Sequence, residues 1–430
     1  MTGPIREGGD RCDVLVIGGG PAGSTAAALL AKQGRDVVLL EKETHPRFHI
    51  GESLLPCNLS IFDRLGVRSA IHDLGVLKPG AEIISDATGR SVDFSFANGG
   101  DQAVTYSYQV RRADFDATLF AHARRQGVHT IEGMRASDVR FGQARSGAAC
   151  LVAARGVDGN VRQFAPRFLL DASGRDTFLA QRLRLKATDK HNNTAAVYAH
   201  FRNVACRQDA MAGCISIHLS DDGWFWVIPL RGEVASVGFV GNQAAFKKRN
   251  CSPRDLLFQR IRGSPTLWAR MSEAQLVSEV MATGNYSYRA STCWGDGYMM
   301  IGDAFAFIDP VFSSGVLLAM TAGMLGADVA HAWLDDQAKG RQLARCSERQ
   351  LRAGMARLGW LIYRINTPVM RHMLLAPSNR FGMRDAVTSV LAGNLRGSVG
   401  VRLPLLAFKA VYHLLSCAGR LGFALPEASK

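Results

Sequence analysis

The residues best placed to do chemistry begin with three glycines. Gly18, Gly20 and Gly23 stand at the spacing G-x-G-x-x-G, directly after the apolar run Cys12–Ile17. That spacing suits a pyrophosphate. Gly18 permits a tight turn, Gly20 lets a phosphate approach the backbone, and Gly23 lets a helix lie close to a strand. The helix opening at Pro21 and Ala22 would present free N–H groups to the anion. Glu41, with Lys42 beside it, closes the next apolar run, Val37–Leu40. Its carboxylate can accept from both ribose hydroxyls and would repel a 2′-phosphate. FAD or NAD fits such a site and NADP does not. A second group is Trp224-Phe225-Trp226-Val227-Ile228-Pro229. Trp224, Trp226 and Ile228 alternate, so on a strand they form one apolar wall, with Pro229 stopping the strand.

Regular elements must hold these residues. Cys12–Ile17 reads as a buried parallel strand, the stretch after Pro21 as a helix ending at Gly34, and Val37–Leu40 as the next strand. The runs Ala195–Arg202, Gly213–Leu219, Gly223–Leu230 and Ala235–Val240 have period two and predict an antiparallel sheet. Thr88-Gly89-Arg90 marks the turn of a hairpin-like insert.

The bulk properties bound the class. The 430 residues are 47% hydrophobic and 20% charged, enough for two connected domains with large cores. The net charge of +14 suits an anionic partner such as flavin phosphates, an acidic carrier protein or an anionic membrane surface. Nothing resembles a nucleic-acid module. Nine dispersed cysteines without a C-x-x-C pair read as reduced thiols in a cytoplasm. His45 and His49 lack further ligands nearby, so no metal site is expected. Residues 1–11 read as a polar lead, and no run of about 18 uncharged apolar residues predicts a membrane span.

Further segments carry a family resemblance. Tyr108–Asp116, with Gln109 and Arg112, resembles the second flavin-contact segment of the p-hydroxybenzoate hydroxylase-like superfamily. Leu169–Arg175 resembles its D-x-x-G motif through Asp171 and Gly174. Ile301–Ala304 resembles its G-D motif through Asp303. The implied cofactor is FAD. Within that superfamily the chain resembles the flavin-dependent halogenases. Pro46–Pro56, holding Arg47, Glu52 and Ser53, is similar to their flavin-covering loop. Leu77–Ala81 is similar to the segment bearing their catalytic lysine, here Lys78. Trp224–Pro229 matches W-x-W-x-I-P. Phe307–Val316 resembles their halide loop.

The resemblance implies that reduced FAD, oxygen and chloride or bromide yield hypohalous acid, which Lys78 directs to an aromatic ring. Read alone, Lys78 would be a surface lysine near a turn. Burial would lower its pKa, and Pro79 would hold its backbone extended. Ser314 and Gly315 would offer N–H groups to halide or reduced flavin at a helix start. Trp224, Trp226, Ile228, Pro229, Pro310 and Phe312 would wall the tunnel. Members acting on tryptophan carry a Glu where this chain has Phe312, and they are longer. Both differences point to phenols or pyrroles, free or tethered to an acidic carrier protein. No second G-x-G-x-x-G occurs, so a separate flavin reductase is the expected source of reduced FAD.

The expected fold is α/β. A discontinuous Rossmann-like FAD domain spans 10–80, 105–190 and 280–335. A β-sheet substrate domain spans 81–104 and 191–279, and a helical C-terminal region 336–430. Leu405–Leu415 is an amphipathic helix expected to pack on the FAD domain, with membrane-surface or carrier docking as its other reading. The rival readings for the whole chain are a flavin monooxygenase, a geranylgeranyl-reductase-like oxidoreductase and a flavin-binding scaffold without turnover.

Overall fold

The computed structural model describes residues 9–99, 104–142, 147–188, 194–242, 246, 251–284, 287–307, 310–394 and 397–421. The chain opens with the strand Asp10–Ile17, which becomes the centre of an eight-stranded sheet. It pairs in parallel with Val161–Asp171 on one side and Val37–Leu40 on the other. His129–Ile131 extends the sheet beyond Val37–Leu40, and Tyr298–Met300 beyond Val161–Asp171. Where both faces are covered the strands are unbroken apolar runs, at Val14–Ile17, Val37–Leu40 and Phe168–Leu170. The helix Pro21–Lys32 packs against the helices Arg112–Arg125 and Gly315–Asp335.

Two glycines make the first turn feasible. Gly18 has φ +104°, and a Cβ there would sit 2.2 Å from the Ala172 carbonyl oxygen. At Gly23 a Cβ would fall 1.9 Å from the carbonyl oxygen of Gly18. A side chain at Gly18 would push the turn off the chain at Ala172, and one at Gly23 would lift the helix away from the strand it follows.

The second sheet also has eight strands. Its main order runs 275–276, 194–202, 234–242, 223–230, 215–220, 80–85 and 91–95. The four period-two runs are adjacent antiparallel members. Gly80–Ser85 and Ser91–Ser95 form the hairpin expected around Gly89, joined in parallel to Ile215–Ser220. Met281–Gly284 adds to the far side of Thr194–Arg202. Pro229 does not stop its strand, which continues to Leu230 and pairs through Pro229↔Ala235. On its other flank the pairing ends at Val227↔Ser216. A missing N–H at 229 therefore breaks no bond on that side.

A short strand pair stitches the two sheets together. Val76–Lys78 lies antiparallel to Ser107–Gln109. Two residues after Lys78, Gly80 enters the second sheet. The loop residue Ser53 bridges to Gln109, Leu54 N–H donates to Tyr108 O, and Val110 N–H donates to Glu52 O.

Beyond residue 336 the chain is helical: Gln337–Ile362, Pro368–Leu375, Met383–Leu391 and Val399–Arg420. The last helix does not pack on the FAD-binding half as expected. Val401, Leu405, Phe408 and Tyr412 join the hydrophobic cluster of the second sheet, against Pro368–Leu375 and Met383–Leu391. Among the described residues, two helices are long and apolar enough to cross a membrane by length and composition. Gly315–Asp335 is a core helix between Pro21–Lys32 and Gln337–Ile362. Val399–Arg420 buries only 22% of its apolar window.

The Gly23 contact leaves no room for a methyl group. Gly23→Ala should lower stability by roughly 1–3 kcal/mol, read as a drop in thermal midpoint together with loss of co-purifying flavin. An unchanged midpoint and full flavin content would refute this account of the turn.

Candidate active site

A cavity of about 870 Å³ runs between the two sheets. That lies toward the upper end of sites that hold small organic ligands. At one end stand Gly18, Gly20, Pro21, Ala22 and Glu41. At the other stand Trp224, Trp226 and Ile228, with Ala196 and Ile215. Lys42, Arg47 and Arg112 also line the glycine-turn end, and Glu52, Ser53, Gly174, Asp303 and Gly315 belong to the lining too.

The glycine-turn end fits FAD. The Cβ direction of Gly20 is open, with only Arg47 Nη2 near it at 3.6 Å. The N–H groups of the helix's first turn are the natural anion donors. Glu41 accepts from Gly19 N at 2.8 Å and Glu43 N at 3.0 Å, which fixes its carboxylate at the strand end. Arg112 donates two bonds to Asp116, at 2.8 and 3.0 Å, and one to Ile50 O at 2.7 Å. Lys42 pairs with Asp176 at 2.8 Å. Burial pushes the Asp303 carboxyl up to about 6, against the pull of Arg112 and Arg175. One carboxylate oxygen of Glu52 is buried without a hydrogen-bond partner. Such an atom is left for a ligand to satisfy.

Several predicted cofactor residues turn elsewhere. Gln109 is fully buried, donates to Gly213 O at 3.1 Å and does not line the cavity. Asp171 accepts from Ser173 N at 2.9 Å and Leu179 N at 2.7 Å, so its carboxylate caps its own turn. Burial raises its pKa. Gly23 packs on the strand rather than facing the cavity. Ser314 is buried at the helix start, and Gly315, not Ser314, reaches the cavity. Phe312 and Pro229 also lie outside its lining, Phe312 within the second sheet's core. Ile308 and Asp309, and the side chain of Pro310, lie outside the described residues.

Lys78 is 1% exposed and sits behind Ser53 rather than in the cavity wall. Its Nζ donates to Ser53 Oγ at 2.8 Å and to Leu54 O at 2.9 Å, and lies 5.3 Å from the centroid of Phe96. Burial pushes its pKa down to about 7. Two neutral acceptors and a ring face do not offset the loss of water around an ammonium.

The aromatic wall is held by the sheet. The ring of Trp226 occupies the place a Cβ of Gly238 would take, 2.3 Å away, and its Nε1 donates to Ser236 Oγ at 3.1 Å. Trp224 and Tyr198 flank it at 5.9 and 5.8 Å between ring centroids. Sequence reading missed His200, whose Nε2 lies 2.9 Å from Glu52 Oε1. Its parity with Ala196 and Tyr198 in the period-two run was the available signal. Burial, with Arg112 adding to it, pushes His49 down to about 4. Among the described residues no cluster of His, Cys, Asp or Glu could hold a metal ion, and the nine cysteines form no disulfide.

Residues 11–358 match the FAD binding domain family. The chain is 36% identical over 318 residues, 73% of its length, to the tryptophan 2-halogenase of Chondromyces crocatus, and spans 60% of that protein. It is 30% identical over 338 residues, 73% of its length, to the 1H-pyrrole-2-carbonyl-(peptidyl-carrier protein) chlorinase of Pseudomonas fluorescens, and spans 74% of it. The crystal structure of a flavoprotein/dehydrogenase from Cytophaga hutchinsonii superposes with a TM-score of 0.86 at 27% identity, over 95% of this chain and all of that one. The chain belongs to the FAD-binding-domain flavoproteins and, within them, to the flavin-dependent halogenase family. The expected α/β fold with FAD as cofactor holds.

A buried lysine with a lowered pKa makes stability depend on pH. Between about pH 7 and 10.5 the unfolded chain holds the extra proton, so stability rises with pH across that window. The penalty is largest below pH 7. Lys78→Met removes it and should stabilise the protein at pH 6 by roughly 1–4 kcal/mol, with the gain shrinking toward pH 10. Thermal melts of both proteins across pH test this. A destabilised variant at pH 6 would contradict it.

Proposed function

We propose that this chain halogenates an electron-rich aromatic ring, using reduced FAD, oxygen and chloride or bromide, with Lys78 directing the halogen. The observation that carries the reading is the Lys78 amine. It is fully buried, drawn down to about 7, and held on the same 53–54 loop that lines the cavity. Family membership supports the chemistry.

When bound, reduced FAD supplies the oxygen activation from which hypohalous acid arises. The protein's own residues divide the remaining work. The Gly20 cradle and the Pro21–Lys32 helix start would hold the pyrophosphate, and Glu41 the ribose. Gly315, at the start of a helix, offers a main-chain N–H toward halide or the flavin. Trp224, Trp226 and Ile228 keep the organic substrate on the far side of the cavity and exclude water. Lys78 can donate a hydrogen bond to hypohalous acid in either protonation state, or as the neutral amine take the halogen onto nitrogen while the oxygen–halogen bond breaks and the hydroxide leaves as water with a proton from that nitrogen. Because Ser53 stands between Nζ and the cavity, Lys78 acts through a shift of the Ser53 side chain or along its hydroxyl.

The proposed substrates are phenols and pyrroles, free or carried on an acidic carrier protein. The relative from Pseudomonas fluorescens is named for a carrier-bound pyrrole, and Phe312 stands where the resemblance implies a Glu in members acting on tryptophan. The relative from Chondromyces crocatus is named for tryptophan, so indole belongs in the test. A separate flavin reductase would supply reduced FAD. A second reading, a flavin oxidoreductase that does not use halide, is favoured by the likeness to the Cytophaga hutchinsonii flavoprotein/dehydrogenase over its whole length.

Mass spectrometry of reactions with reduced FAD, oxygen and bromide or chloride separates the two. Phenols, pyrroles and indoles, free and carrier-bound, form the panel. The expected result is a halogen isotope pattern that falls by roughly 10²-fold or more in Lys78→Ala. Undiminished halogenation in that variant would reject the role of Lys78. Product without halogen, formed equally in halide-free buffer, would establish the second reading.

A further inference from the structure

The helix Val399–Arg420 has two apolar faces. One, through Val401, Leu405, Phe408 and Tyr412, is buried in the second sheet's cluster. The opposite face carries Val399, Leu403, Leu406, Leu414 and Leu421 at spacings of three, four or their sums. All five are 60–76% exposed. Ala410 and Cys417 continue the row and are exposed as well. A row at this spacing is straight on a helix surface. Over 22 residues it is a ridge of about 33 Å.

The charge beside the ridge is of one sign. Arg402, Lys409, His413 and Arg420 follow one another along a single flank, and the helix contains no Asp or Glu. Small residues, Gly400, Ala407 and Ala418, occupy the other flank. A further apolar side chain stands beside it. Phe381 is 79% exposed with φ +55°, and its neighbour Gly382 lies against Pro404 of the helix. A bulky residue rarely adopts that backbone conformation. Here the phenyl ring stands out in water, in the turn that meets the helix at Pro404.

We propose that this face binds the surface of an anionic lipid bilayer, with the helix lying in the interface plane. A convex ridge with a basic flank matches a bilayer, which needs no groove to receive it. The net charge of +14 adds long-range attraction to the same surface. The helix lies on the membrane and does not span it, because its opposite face is committed to the protein core. A second copy of the chain would bury the ridge but would bring its basic rows into repulsion. This placement does not rest on the cavity's chemistry, and either can fail alone.

The test is co-sedimentation of the flavin-loaded full chain with vesicles of phosphatidylcholine alone and of phosphatidylcholine mixed with phosphatidylglycerol. Binding is expected to the anionic vesicles and to weaken with added salt. The triple variant Leu403→Ser, Leu406→Ser, Leu414→Ser alters exposed side chains only. It should keep its flavin and thermal midpoint while losing vesicle binding by roughly tenfold or more. Arg402→Gln with Arg420→Gln should weaken binding to anionic vesicles alone. Absence of binding by the unaltered chain, or equal binding by the triple variant, would overturn the proposal. So would a concentration-dependent dimer, or a complex with an acidic carrier protein, that the triple variant abolishes while vesicle binding is undetectable.

Discussion

The placement of one amine shows how the two halves of the molecule meet. Lys78 Nζ lies where the short strand Val76–Lys78 leaves the FAD-binding half and the chain enters the second sheet at Gly80. Burial there opposes its charge, and two neutral acceptors, the face of Phe96 and the pull of Cys214 do not offset it. Burial prevails and the pKa falls to about 7. The same seam fixes the 52–54 loop, because Ser53, Leu54 and Glu52 all bond to the 108–110 segment. The amine, the cavity wall and the join between the sheets are therefore set by one group of backbone bonds.

The cavity is electrostatically divided. Its dinucleotide end carries Lys42, Arg47 and Arg112 beside the helix start, but each is already paired with a carboxylate. Such pairing holds the cations in place while leaving main-chain N–H groups as the donors for phosphate. The opposite end is a wall of mutually tilted rings, in which Trp226 depends on a glycine, Gly238, and one hydroxyl, Ser236. The cavity's lining also holds Asp303, pushed up to about 6, and Glu52, which His200 contacts from outside the lining. This gradient from polar to apolar suits a reaction in which a charged cofactor and an organic ring must be kept apart.

Much of this was legible in the residues. Gly18 and Gly23 are required by contacts of about 2 Å, so their spacing reports the turn directly. Alternation put Trp224, Trp226 and Ile228 on one face, and the sheet keeps them there. Other positions carried a pattern with two physical outcomes. An acid at a strand end can bond the backbone and still line the cavity, as Glu41 does, or cap the backbone away from it, as Asp171 does. Gln109 follows its motif yet points to Gly213. His200 and Glu52 are 148 residues apart, and only the folded sheet brings them together. The last helix was recognisable as amphipathic, but its second apolar face appears only when the buried one is known.

The account turns on the state of the Lys78 amine, and nuclear magnetic resonance of lysine side chains reads it most directly. With 13C- and 15N-labelled lysine in the full chain, the signal lost in Lys78→Met identifies the residue. One lysine titrating near pH 7 is the predicted result. Titration of that signal at the ordinary lysine value, about 10.4, would show a solvated ammonium and contradict the buried seam from which the site was derived.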